Sequence, residues 1–130
     1  HWMVHSFPTR RSSDLIRIVR EIPISQPLVQ YVTRLVRCSR NRRGQEGDGA
    51  VPDFVRKYLQ WGAGPRAGQY LILGAKARAF LHGHTHVAAE DIRAVAHPVL
   101  SHRIIVNFAA EADGITPAGM IDRILETVKE

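Results

Sequence analysis

The chain has 130 residues, a hydrophobic content of 45% and one cysteine, Cys38. That suits one domain with one core, excludes an internal disulfide, makes a cytoplasmic setting the expectation, and leaves no apolar run near the roughly 20 residues that cross a bilayer. The formal charge of +6 invites an acidic partner, yet nine of the 18 basic residues lie at or before Arg43, opposed there only by Asp14 and Glu21.

Residues 1–15, HWMVHSFPTRRSSDL, keep neither a helical nor a strand period. The string SFPTRRSSDL resembles a translated sequencing-adapter remnant, so the leader is expected to be non-native or disordered, with the domain occupying 16–130. Ile16-Arg17-Ile18-Val19 reads as a short strand or connecting segment. Ser25 reads as an N-cap, and Leu28, Tyr31, Val32 and Leu35 follow at i, i+3, i+4, i+7, an amphipathic helix. Residues 39–51, SRNRRGQEGDGAV, read as a flexible loop. Phe54, Tyr58 and Trp61 suit a short helix or an irregular segment.

From Pro65 to about His82 the spacing predicts a long helix, with Gly64 as N-cap and Pro65 at the first helical position. It is apolar nearly all round, as a central, buried helix would be. A third helix is expected from near Ala89, carrying Ile92, Val95, Ala96, Val99 and Leu100, with Glu90 and Asp91 in its first turn and a kink or restart at Pro98. Ile104-Ile105-Val106 reads as an extended or buried connector. Thr116-Pro117 opens a last helix that carries Ile121, Ile124, Leu125 and Val128. The expected fold is all-α, a bundle of four to five helices.

Four features could carry chemistry. His82, His84 and His86 alternate, and three imidazoles could hold zinc in an extended segment. Here they sit at a helix end beside Gly83, which favours a capped polar loop and no metal site. His102-Arg103 reads as a helix-end basic pair that caps carbonyls. Arg34, Arg37 and Arg40 step along one face, with Arg42 and Arg43 beyond. A free-standing basic helical module that binds nucleic acid is therefore the alternative reading, weakened because no aromatic residues interleave.

The fourth feature is Arg66. A helix N-terminus offers unpaired N–H groups and partial positive charge, a setting for phosphate, and an arginine fork adds to it. The same dipole disfavours a lone arginine unless an anion offsets it. The chain has no GxxxxGK[ST] loop and no apolar strand ending in paired acids for magnesium, so any nucleotide site that includes Arg66 is only partly built here.

Trp61-Gly62-Ala63-Gly64-Pro65-Arg66-Ala67 resembles the W-G-A-S-P-R-A signature of MoxR-type AAA+ ATPases. Glu21-Ile22-Pro23-Ile24-Ser25, Ala75-Lys76-Ala77-Arg78-Ala79, Val87 with Asp91-Ile92, and Pro98-Val99-Leu100-Ser101-His102-Arg103-Ile104 fall in that family's order and spacing. The similarity covers residues 16–128 and corresponds to the C-terminal helical lid. The resemblance implies a lid that closes over ATP and magnesium held by an upstream AAA+ core. Arg66 would be the sensor-two arginine, flanked by Pro65 and Gly64 and coupling nucleotide state to lid movement. It implies a chaperone-like ATPase acting as a hexameric ring, with von Willebrand A-domain partners, and a lid that is inactive alone. Gly64 stands where the family usually has serine, which should soften the helix start by about a few tenths of a kcal/mol. His82-Gly83-His84 stands where relatives tend to have Arg-Gly-Arg.

Overall fold

The computed structural model describes residues 10–40 and 51–130. Within them run seven helices and one two-stranded sheet. Helix α1 spans Arg10–Glu21, α2 Gln26–Cys38, α3 Asp53–Tyr58, α4 Ala67–Leu81, α5 Ala89–Leu100, α6 Phe108–Ala112 and α7 Pro117–Thr127; strand β1 is Leu59–Trp61 and β2 Ile105–Val106. The all-α class holds; α3 takes the short-helix reading of Phe54–Tyr58, and α1 and the short α6 are additions to the expected bundle. No described helix is long and apolar enough to cross a membrane.

Helix α1 corrects two expectations. Residues 10–15 are helical and not disordered, and Ile16–Val19 is helix and not strand. Leu15, Ile18, Val19 and Ile22 lie at helical spacing, a period that two isoleucines and a valine in four residues disguise as strand. Only its C-terminal end is packed: Val19 is half-buried and Ile22, just past the helix, is buried, while Leu15, Ile16 and Ile18 are exposed. Lys76 of α4 donates to the Arg20 carbonyl at 2.9 Å and so caps the end of α1. The rest of the leader, residues 1–9, lies outside the described residues, as do residues 41–50 of the expected loop.

Helix α2 follows its sequence pattern. Ser25 holds the extended N-cap conformation, although its side chain accepts no capping bond, and Leu28, Tyr31, Val32, Leu35 and Val36 are buried. Helix α5 starts at Ala89 as expected. It runs through Pro98 to Leu100 without a restart, because the proline stands in the last turn, where only one ladder bond is lost. Tyr31, Leu35, Leu71, Ile92, Leu100, Met120, Ile121 and Ile124 form the fully buried centre. Helix α4 supplies small residues to that centre, Ala67, Ala75 and Ala79, so its axis can approach α5 closely.

The sheet is what the sequence did not announce. Leu59 pairs with Val106 and Trp61 with Ile105, antiparallel, with an irregularity between the two pairs. Asn107 anchors the junction: its Nδ2 donates to the Lys57 carbonyl at 2.7 Å, while its Oδ1 caps α6 by accepting from the Ala110 N–H at 3.0 Å. Gly114, with φ +74°, ends α6 in a left-handed C-terminal cap closed by the Ile115 N–H on the Ala110 carbonyl at 2.8 Å.

Helix α7 opens as expected, with Thr116 Oγ1 accepting from the Gly119 N–H at 3.1 Å and Pro117 in the first turn. Thr116→Ala should lower stability by about 1 kcal/mol. The check is a reduced urea midpoint at an unchanged denaturant slope.

Candidate functional site

Between β1 and α4 the chain makes one tight turn. The Ala67 N–H donates to the Gly64 carbonyl at 3.1 Å, and Pro65 and Arg66 form the corner. Proline suits this corner because its fixed φ is that of the first turn position. Arg66, at φ −76° and ψ −15°, is itself the N-cap of α4, and its carbonyl accepts the first helical bond from the Tyr70 N–H at 3.1 Å. The helix thus starts at Ala67, two residues later than expected. Pro65 and Gly64 are turn residues, not first helical residue and N-cap.

Gly64, Pro65 and Arg66 are all exposed. Among the described residues the Arg66 guanidinium has no hydrogen-bond or ion-pair partner, and the N–H groups of Gly68 and Gln69 are open. The first turn of α4 carries no acidic residue. A cation, open backbone donors and the positive end of a 15-residue helix converge at one exposed place, a donor set suited to an anion.

Arg66 also heads an apolar stripe. At steps of three and four residues it is followed by Tyr70, Leu73, Ala77 and Phe80, with Leu81 beside them. Tyr70, Leu73, Phe80 and Leu81 are exposed, the last at 80%, whereas the opposite face of Ala67, Leu71, Ala75 and Ala79 is fully buried. The expectation of a helix buried all round is therefore wrong for one side. The helix is central, but four of its large apolar residues, Tyr70, Leu73, Phe80 and Leu81, face outward while Leu71 faces the core. The Arg103 guanidinium lies 4.6 Å from the centre of the Tyr70 ring and caps the end of α5 by donating to the Val99 carbonyl at 2.9 Å. That agrees with the capping reading of His102-Arg103.

The other candidates are not brought to this place as a group. His82 is the C-cap of α4, Gly83 takes φ +71°, and the His84 N–H closes the cap on the Ala79 carbonyl at 2.8 Å. The His82 and His84 rings are 6.0 Å apart, and among the described residues no group of three His, Cys, Asp or Glu is placed to hold a metal. Of the basic stripe, Arg34 donates to the Lys129 carbonyl at 3.0 Å and Arg40 to the Ala63 carbonyl at 3.2 Å. Two of its arginines thus hold the fold together. Arg42 and Arg43 lie outside the described residues.

One buried cluster was not foreseen. Asp91, fully buried, accepts from Arg78 Nη1 at 2.6 Å and from the Ala88 N–H at 2.9 Å, with His84 Nδ1 3.8 Å away. Burial pushes its carboxyl up, but the Ala88 bond, the Arg78 bond and charge, and His84 outweigh that and leave it below its ordinary range. An acidic residue in the third position of α5 was the available signal; its burial under Arg78 depends on how α4 packs.

The chain matches the AAA lid domain family over residues 53–124. It is 34% identical to the chaperone MoxR1 of Mycobacterium tuberculosis over 90% of this chain and 30% of that protein. It is 36% identical to the protein MoxR of Paracoccus denitrificans over 80% of this chain and 31% of that one. Its fold is similar to a crystal structure from Cytophaga hutchinsonii of a protein assigned as an ATPase, with a TM-score of 0.75 and 35% identity, covering 87% of this chain and 33% of the other. The chain thus spans about a third of the length of the relatives it matches.

Proposed function

We propose that this chain, which belongs to the AAA lid domain family, is the lid of a MoxR-like AAA+ ATPase and offers Arg66 to the γ-phosphate of ATP as the sensor-two arginine. The observation that carries this reading is a guanidinium at the head of α4 that has no partner among the described residues, beside the N–H groups of Gly68 and Gln69, open among those same residues. These groups fit a phosphate. The described residues offer no donor set for a metal, so magnesium belongs in this reading to acids of the AAA+ core.

When bound, ATP with magnesium supplies the phosphoryl group that is hydrolysed. Arg66 makes and breaks no bond; its charge and its hydrogen-bonding fork stabilise the oxygens it faces. The exposed stripe from Tyr70 to Leu81 lies on the same side of α4 as Arg66. A core that holds the phosphate near Arg66 therefore also covers apolar side chains. Loss of the phosphate removes one of two contributions to closure, and the lid rotates as a rigid body.

The intact protein in this reading works in the cytoplasm as a chaperone-like ATPase, assembled as a hexameric ring with von Willebrand A-domain partners, and the lid alone does not hydrolyse ATP. In the full-length protein Arg66→Ala should lower turnover on the order of 100-fold. Arg66→Lys should recover part of it, since charge remains and the fork is lost. Steady-state ATP hydrolysis is the measurement, and wild-type turnover in Arg66→Ala removes the residue from the site.

A further inference from the structure

We propose that Arg40 is a positioning residue for Arg66, an inference that rests on the role given to Arg66 above. The backbone that leads into the Pro65–Arg66 turn does not hang free from the sheet. It is docked on the end of α2. Gly62 lies so close to that end that a Cβ built on it would stand 2.0 Å from the Ser39 carbonyl oxygen and 2.7 Å from the Arg40 Cα. One residue on, the half-buried Arg40 donates from Nε to the Ala63 carbonyl at 3.2 Å, and Ala63 itself is buried.

The platform is fixed in its turn. Ser39 is fully buried, its Oγ donates to the Val36 carbonyl at 2.7 Å, and the N–H groups of Ser39 and Arg40 close on Leu35 and Arg37 at 3.1 Å. Only Gly64 and Pro65 separate Ala63 from Arg66, and the turn bond from Ala67 to Gly64 holds that stretch. Among the described residues the guanidinium of Arg66 has no partner to hold it, so its place is set by the backbone from which it springs. Arg40 is the side chain that pins that backbone. The basic stripe that begins on α2 thereby gains, at Arg40 just past the helix, a task that polyanion binding does not require.

In the full-length protein, Arg40→Ala should lower kcat roughly tenfold through misplacement of Arg66, with a smaller change in KM for ATP. Arg40→Lys, which can still donate to the Ala63 carbonyl, should regain most of the loss. The decisive readout is the double variant: in an Arg66→Ala background Arg40→Ala should have no further effect on kcat, because its contribution passes through Arg66. Where Arg40→Ala fails to fold, Arg40→Gln carries the same cycle. Losses that multiply in the double variant, or wild-type kcat in Arg40→Ala beside a crippled Arg66→Ala, overturn the inference and leave the role of Arg66 standing. Wild-type kcat in Arg66→Ala overturns both.

Discussion

Asp91→Ala is expected to cost about 3–5 kcal/mol of folding stability, because it removes one partner of a buried pair and leaves the other behind. The Arg78 guanidinium would lose its 2.6 Å contact and keep only Glu90, 3.5 Å away and 77% exposed. The Ala88 N–H would lose its acceptor at the start of α5. Both losses fall on the junction between α4 and α5, the main packed pair of the bundle. Replacing both partners with apolar residues of similar size should cost less than the single change. The pH dependence has a defined sign. The folded carboxyl lies below its ordinary range, so the unfolded chain binds the extra proton on acidification. The contribution is fully present above the unfolded value of about 4 and is lost as pH falls through the folded value. Urea midpoints measured from about pH 6 to about pH 3 should fall more steeply for the wild type than for Asp91→Asn. Equal slopes would show that Asp91 carries no linked proton.

How much of this was legible in advance depends on range along the chain. Helices α2, α5 and α7 keep a clear period and bear local start signals, so their residues and faces could be read directly. Helix α4 shows the limit of periodicity. Tyr70, Leu73, Phe80 and Leu81 are as apolar as Leu71 and Ala75, so no moment tells the inner face from the outer. The fold decides it: Leu71 joins Ala67, Ala75 and Ala79 on the packed side, while Tyr70, Leu73, Phe80 and Leu81 are left outside. Strands β1 and β2, three and two residues long, are too short to show alternation, and their pairing joins segments more than 40 positions apart. The burial of Asp91 is equally non-local.

The site was legible in part. The conflict between Arg66 and the helix dipole pointed to an anion. Its position as cap and not first-turn residue arose from the Gly64–Ala67 turn, a shift of two residues of the kind helix boundaries commonly show. The role of Arg40 was hidden because three arginines at helical spacing read as one surface feature. Only the fold separates Arg34, bound to the Lys129 carbonyl, from Arg40, bound to the Ala63 carbonyl.

Gly62→Ala provides the other large expected effect, and Gly64→Ala is its internal control. At Gly62 the three atoms nearest a new Cβ, at 2.0, 2.7 and 2.9 Å, all belong to the backbone of Ser39 and Arg40. No rotamer change can relieve that contact. Either residues 59–63 lift from α2, with loss of the Arg40 bond to Ala63, or the last turn of α2 frays. Overpacking commonly costs about 1–3 kcal/mol, and a backbone neighbour that cannot rotate away puts this position at the upper end. At Gly64 nothing lies within 4 Å, and its φ is not in the left-handed region. The same added methyl there meets no neighbour and slightly restricts the unfolded chain, so stability should hold or rise. Urea midpoints of the two variants therefore should move apart, with Gly62→Ala well below the wild type and Gly64→Ala at or above it. Equal midpoints would mean that the approach to Arg66 is not docked on α2 and could shift freely. A large separation would mean that the two glycines of one short turn serve different ends. Gly62 is required by close approach, whereas Gly64 marks a place where the serine of the resembling family would fit without strain.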